Sequence, residues 1–534
     1  MRTNTITCGT HLIATRSGLA NRCVTRELAA LVLEQHEKFH TGALGMPTLS
    51  RKPRSIYHEI IAILTLGTII VWCPAGLSGL QQSQIASIDN HADHYGQMAQ
   101  QIWGWAEVGY QEEHGSALLN EELKAAGFSI ESGVAGMPTA FIASHGSGYP
   151  VIGILAEFDA LPGLSQDAVP ERSPIVEGGA GHACGHHLFG VGSVAAAIAV
   201  KEWLEETGQD GTIRLYGTPA EEGGAGKVYM VRDGLFDDVD VALHWHPGDN
   251  NSAAAGRSLA NKSAKFRFRG YSAHAAGAPH RGRSALDGVE AMNHMVNLMR
   301  EHVPQETRIH YVITQGGFAP NVVPDFAEVY YYVRHPNAPT VVELFERVVK
   351  TAEGAALGTG TDVDYEVIHG LYDLVPNVAL SKIMDSKLQE VGGVEYTETE
   401  HAFARQIQST FEGGSTRALG TESEIEPFYI EEAGGGSTDV GDVSWVVPTA
   451  GLSTATWVPG TSAHSWQAVA AGGTEIGNKG MMVAAKTLAL TAIELFKRPD
   501  VITVAWEELT ERRGADFEYT ALLGDRDPPL DYRR

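Results

Sequence analysis

The chain has 534 residues, too many for one hydrophobic core, so two or more domains are expected. A hydrophobic content of 43% with 19% charged residues excludes a disordered chain. Lys and Arg number 39 against 65 Asp and Glu, and the resulting net charge of -26 argues against nucleic acid as a partner. Cysteines stand at 8, 23, 73 and 184, a spacing that fits neither a disulfide framework nor a zinc knuckle.

Residues 1–80 differ from the rest and read as an N-terminal extension. Up to Tyr57 there are eight Lys or Arg and three Glu. "IIAILTLGTIIVW", Ile60–Trp72, then runs without a charge, between "SRKPRS" and "CPAGLSG". A basic start, a short apolar middle and a small-residue end predict an export signal over 46–76, with Met46 as the expected start and residues 1–45 upstream of it. The run is shorter than the roughly 20 residues of a spanning helix. Read as a signal, it sends the chain to the periplasm or outside the cell. Read as a short buried helix of the extension, it leaves the chain cytoplasmic. Trp72 before Cys73 makes a poor lipoprotein site.

From Ile85 to Leu123 the pattern is helical, with "HYGQMAQQIWGWAEV" and "GSALLNEELKAAGF" as its clear pieces. After Gly127 strands and helices alternate, which predicts an α/β fold with a mostly parallel sheet. Residues 85–257 form its first part. Four short apolar runs fit buried strands. The first leads to Glu157 and Asp159 and the second to Glu221 and Glu222. The third carries His244 and His246, and the fourth precedes a loop with His464. Ligand sites of such sheets lie beyond the carboxyl ends of the strands. Between the first two strands stands "GHACGHHLFGVGSVAAAIAV", residues 181–200, with His182, Cys184, His186 and His187 at the start of an apolar helix.

Residues 258–370 break this pattern. They read as strand, helix, two strands, helix and strand, a ferredoxin-like βαββαβ unit inserted in the larger domain. Leu286, Val289, Met292, Val296 and Met299 recur at helical spacing in its first helix, as core residues do. Residues 371–497 return to the first domain. The charged tail 498–534, with a Pro-Pro pair, reads as a surface extension.

Thiolate, imidazole and carboxylate are the ligands of borderline metals such as zinc. Adjacent carboxylates point different ways, so Glu221 and Glu222 can divide metal binding and proton transfer. Such a pair beside two metals suits hydrolysis of an unactivated amide. Single residues remain ambiguous: His182 or His187 alone is more often a structural histidine, and Cys184 alone a small buried hydrophobe. His246 is expected to face away from His244, so that only one of them reaches the site.

"EFDALPGLSQ", "GHACGHHLFGVGS", "TPAEEGGAGK", "ALHWHP", "GYSAHAAGAPHRGRSALDGVEAM", "NVVPDFAEVYYYVR" and "SAHS" stand in the order found in dinuclear metallo-amidohydrolases, peptidase family 20, related to aminoacylase and carboxypeptidase G. The Cys-Gly-His form resembles the branch that hydrolyses hippurate and indoleacetyl-amino acids, and the resemblance spans about 85–497. It implies two divalent ions per chain, Zn²⁺ or Mn²⁺, held by Cys184 as a bridge with His186, Glu222, His244 and His464. It implies Glu221 as general base and Asp159 orienting a ligand. His274 of the insertion would reach the partner subunit's site, with Asn321 and Arg334 as contacts for the substrate carboxylate. The insertion would then be a dimerisation domain of a homodimer, with a homologous second subunit as a further possible partner. The implied substrate is an N-acyl-amino acid, of which p-aminobenzoyl-glutamate is the type. A dipeptidase or carboxypeptidase of the same fold and a weakly active metal-binding subunit are the alternatives. Two positions depart from the pattern: Glu157 stands where the carboxypeptidase-like branch has histidine, and His187 where the hippurate-like branch has aspartate. The second departure bears on zinc against manganese.

Overall fold

In the computed structural model, residues 79–431 and 435–533 are described; the expected export signal at 46–76 lies outside them. Three helices open this part: α1 (Gly79–Asn90), α2 (Ala92–Trp105) and α3 (Glu113–Ala125). Then come β1 (Ser129–Ser132), β2 (Phe141–Ser147), β3 (Val151–Ala156), α4 (His186–Thr207), β4 (Gly211–Gly217), α5 (Gly226–Arg232) and β5 (Val241–Gly248). The second unit is β6 (Ala260–Arg269), α6 (Ala285–Met299), β7 (Arg308–Gln315), β8 (Phe326–His335), α7 (Ala338–Thr359) and β9 (Asp362–Leu371). The chain closes with α8 (Val378–Val391), α9 (Glu398–Gln408), α10 (Val440–Val446), β10 (Thr449–Ala455), α11 (Trp466–Gly472), α12 (Glu475–Lys497) and α13 (Pro499–Arg513).

The strands form two sheets. One has the order β1-β2-β4-β3-β5-β10, with β4, β3, β5 and β10 parallel and β1 and β2 antiparallel at one edge. The other has the order β7-β8-β6-β9 and is antiparallel throughout. With α6 and α7 packed on it, that order is the ferredoxin-like one.

Helix α4 is the centre of the larger unit. It is apolar almost all round and buried from His186 to Val200, as a helix covered on every side must be. Its small residues set the distance to the sheet. A Cβ on Gly190 would come within 2.9 Å of the Glu157 carbonyl, and one on Gly192 within 3.0 Å of the Trp245 ring. Gly185, at φ +77°, caps the N-terminus in a left-handed conformation that glycine adopts freely. The first turn of α4 therefore sits at the carboxyl ends of β3 and β5.

The tail differs from the surface extension expected of it. Residues 499–513 are a helix, and Ala521, Leu522 and Leu523 beyond it are buried. These apolar residues gain by covering the sheet edge near Gly370, where a Cβ would meet the backbone of Leu522 and Leu523.

Candidate metal centre

Each strand end delivers one part of the site. Beyond β3, Asp159 Oδ1 accepts a hydrogen bond from His186 Nδ1 at 2.8 Å, and its Oδ2 accepts one from the Glu222 backbone N–H at 2.9 Å. One aspartate thus orients an imidazole and a loop. With Nδ1 bonded to Asp159, His186 Nε2 is directed into the cluster. His246, in the second half of β5, repeats the arrangement: its Nδ1 donates to the Pro247 carbonyl at 2.7 Å, and Nε2 stands 3.4 Å from Cys184 Sγ. Beyond β4, Glu222 Oε1 lies 3.1 Å from His464 Nε2.

Three overlapping trios place one ligand atom of each member within 4.8 Å of the others: Cys184, His186 and His246; Cys184, Glu222 and His464; Glu157, His186 and Glu221. Cys184 belongs to the first two, so a thiolate there can touch both. The donor set suits a metal. Glu157 Oε2 and His186 Nε2 face each other at 3.1 Å, buried, with no other hydrogen-bond partner for either atom. Two lone pairs that close repel unless a proton or a metal cation lies between them.

The two glutamates beside each other have opposite electrostatics. Burial, with the charges of Glu157 and Glu222 nearby, holds Glu221 well above the usual carboxylate range. Burial also opposes the charge on Glu222, but the His464 hydrogen bond and the His186 charge outweigh it and bring Glu222 down to about 2. Glu221 is therefore suited to hold a proton and Glu222 to stay anionic. Burial pushes the Cys184 thiol up, so the thiolate needs a cation to form.

Beneath the cluster, Lys227 is fully buried, with Nζ 2.7 Å from Glu157 Oε1 and 2.7 Å from Asp439 Oδ1. Lys227 keeps Glu157 ionised against its burial. Neither Lys227 nor Asp439 was expected from sequence. The only signal was a lysine opening the otherwise apolar "GKVYMV"; nothing around Asp439 sets it apart.

The structure thus brings together Cys184, His186, Glu221, Glu222 and His464, with Asp159 bonded to His186. His244 is the exception. It shares one face of β5 with His246, because side chains two apart point the same way, while Trp245 turns to α4 and donates to the Phe189 carbonyl. The expected opposite facing is therefore corrected. His244 pairs with Gly451 of β10 and packs where a Cβ on that glycine would be, one pleat short of the cluster. His246, rather than His244, lies in the trio with Cys184 and His186. His182 and His187 are structural: their Nε2 atoms lie 3.1 Å from the Ile102 carbonyl and 3.0 Å from the Gly472 carbonyl.

His274, Asn321 and Arg334 stand apart from this group. His274 and Asn321 are exposed on loops of the second unit, joined by the bridge between His274 and Val322. Arg334 lies on β8 over the Tyr332 ring, with its buried Nε unpaired. Among the described residues, no hydrogen bond or ion pair links any of the three to the Cys184 cluster.

The chain is 43% identical over 435 residues to a subunit of the p-aminobenzoyl-glutamate hydrolase of Escherichia coli (strain K12), covering 77% of this chain and 90% of that protein. It is 29% identical over 444 residues to the Xaa-Arg dipeptidase of Mus musculus, covering 80% of this chain and 91% of that one. The crystal structure of the aminobenzoyl-glutamate utilization protein from Klebsiella pneumoniae shares the fold, with a TM-score of 0.54 and 18% identity over 79% of this chain and 100% of that one. Residues 153–421 match Peptidase family M20/M25/M40, and the chain belongs to that family.

Proposed function

We propose that this chain hydrolyses the amide bond of N-acyl-amino acids with an aryl acyl group, p-aminobenzoyl-glutamate being the type, with Glu221 as general base. That it is an amidohydrolase of the metallopeptidase kind follows from its family and from its 43% identical relative. The observation that carries the finer reading is the adjacent pair Glu221 and Glu222, tuned in opposite directions beside Cys184, His186, His246 and His464. Those residues fit two divalent ions, Zn²⁺ or Mn²⁺, which when bound lower the pKa of water to about 7 and polarise the amide carbonyl. Glu221 takes a proton from the attacking water and returns it to the leaving nitrogen. Asp159 holds His186 in the tautomer that keeps Nε2 free. His274, exposed on the second unit, is proposed to act in the site of a partner subunit, donating to the developing oxyanion. Asn321 and Arg334 would receive the substrate carboxylate there. The Escherichia coli relative is one subunit of its enzyme, and a homologous second chain is a further candidate partner here.

The Xaa-Arg dipeptidase, matched over a similar span, favours a dipeptidase as the second reading. The test is hydrolysis by the purified chain loaded with Zn²⁺ or Mn²⁺, offered aryl-acyl-glutamates and Xaa-Arg dipeptides side by side. Turnover of the acyl-glutamate, reduced about 10²–10⁴-fold by Glu221→Gln with the metal content unchanged, supports the first reading. Preference for the dipeptides supports the second. Metal bound with no turnover of either would leave a binding subunit.

A further inference from the structure

The final stretch of chain reaches the loop that carries Glu221 and Glu222. Its course is held at three points on the way. Arg526 Nη1 donates to the Val367 and Ile368 carbonyls of β9 at 2.7 and 2.8 Å. Arg232 Nη1 donates to the Arg526 carbonyl at 2.7 Å, and Gln111 Nε2 to the Leu530 carbonyl at 2.8 Å. At the tip, Tyr532 Oη at 3.3 Å and Arg533 Nη2 at 2.6 Å both donate to one acceptor, the main-chain carbonyl of Glu222.

The seat for this tip is shaped to it. Tyr532 meets the Tyr110 ring edge to face at 5.7 Å, and Tyr110 Oη donates to the Gly224 carbonyl at 2.7 Å. A side chain on Gly109 would collide with Tyr532 Oη. Gly223, in a left-handed conformation at φ +104°, lies against the Arg533 guanidinium and the Tyr532 ring. The Glu222 backbone is thereby fixed on both sides of its Cα: its N–H donates to Asp159, and its carbonyl accepts from the Tyr532 and Arg533 side chains. Holding both peptide groups that flank a residue fixes the direction of its side chain and limits that of the residue before it.

We propose that Tyr532 and Arg533 are positioning residues, a strap that clamps the Glu222 carbonyl and so holds the Glu221 and Glu222 carboxylates in register with the Cys184–histidine cluster. This rests on the reading of that cluster as a metal centre. A guanidinium-to-carbonyl bond is roughly twice as strong as a neutral one, so Arg533 carries more of the effect than Tyr532. The consequence for rate is large because small displacements of reacting groups are costly, of order 10²-fold for about 1 Å.

The test uses the full chain with Arg533→Ala, Arg533→Lys and Tyr532→Phe. Co²⁺ is titrated in, and the thiolate-to-cobalt absorption of Cys184 gives its affinity without any turnover. Arg533→Ala is expected to weaken Co²⁺ binding about tenfold and to lower kcat for the acyl-amino acid about tenfold with KM within about twofold. Tyr532→Phe is expected to show the same split at about threefold. Arg533→Lys should recover most of the loss, since an ammonium also donates to a carbonyl. Wild-type Co²⁺ affinity and kcat in both Arg533→Ala and Tyr532→Phe overturn the strap while leaving the metal centre standing. So does an Arg533→Lys as impaired as Arg533→Ala. A wild-type chain that binds no Co²⁺ through Cys184 overturns both. Tyr532→Phe removes a single oxygen and keeps the test sharp if Arg533→Ala does not fold.

Discussion

Residue 246 shows how much one pleat matters. His244 and His246 share a face of β5 and differ by one two-residue repeat, about 6.6 Å along a strand. Only His246 has its Nδ1 committed to a carbonyl and its Nε2 turned toward Cys184. His246→Ala and Cys184→Ala are therefore each expected to lower the bound metal, read by elemental analysis after dialysis, whereas His244→Asn keeps the wild-type stoichiometry. Equal losses from His244→Asn and His246→Ala would return His244 to the ligand set. The motif "ALHWHP" offers both histidines, and the choice between them depends on where the strand stops relative to the loop of Cys184.

Among the elements, α4 carries the greatest constraint. Ordinary helices gain about 1 kcal/mol when an interior glycine becomes alanine. At Gly190 the added methyl would press on the Glu157 carbonyl, a backbone atom that cannot turn aside. Overpacking of this kind costs about 1–3 kcal/mol. Gly190→Ala is thus expected to destabilise the protein by up to about 2 kcal/mol, the packing cost outweighing the gain in propensity, as measured by urea unfolding. A more stable variant would mean that α4 can move away from β3. The alanine-rich run after "GHACGHH" already reads as a buried helix in the sequence. The closeness of its approach does not, because it depends on which strand residues come opposite each glycine.

For the whole molecule, the second unit leaves an apolar edge. Tyr311, Val312 and Ile313 on β7 are exposed, as are Leu298 and Phe318 nearby. An exposed apolar edge strand invites pairing with another chain, which is the surface the proposed homodimer would use. Two-fold pairing brings any substitution in twice. Ile313→Lys is expected to weaken self-association by roughly 30-fold or more, read by light scattering, and to lower turnover with it. A dimer unchanged by Ile313→Lys would place the interface elsewhere. Stability with pH also belongs at this scale. Asp442 is fully buried, accepting from Tyr519 Oη at 2.7 Å and the Tyr372 N–H at 3.0 Å, and burial raises it to about 8. The folded chain then keeps a proton that the unfolded chain releases near pH 4, so this group's contribution to stability is full below pH 4 and is lost as pH rises toward 8. Asp442→Asn removes that loss, and its stability relative to wild type should rise between pH 4 and 8 in thermal unfolding. A constant difference across that range would mean that Asp442 does not titrate there.

What the sequence determined by itself was the chemistry and the order of elements. Thiol, imidazole and carboxylate types stand at the ends of apolar strands, and periodicity separates the βαββαβ unit from the larger sheet, because both are written in nearest neighbours along the chain. Tertiary structure alone decided which groups meet. The choice of His246, the Lys227 bridge between Glu157 and Asp439, and the return of Tyr532 and Arg533 to the Glu222 carbonyl join residues tens to hundreds of positions apart. Such pairings carry no local period, since they arise from how closely helices and strands pack once buried.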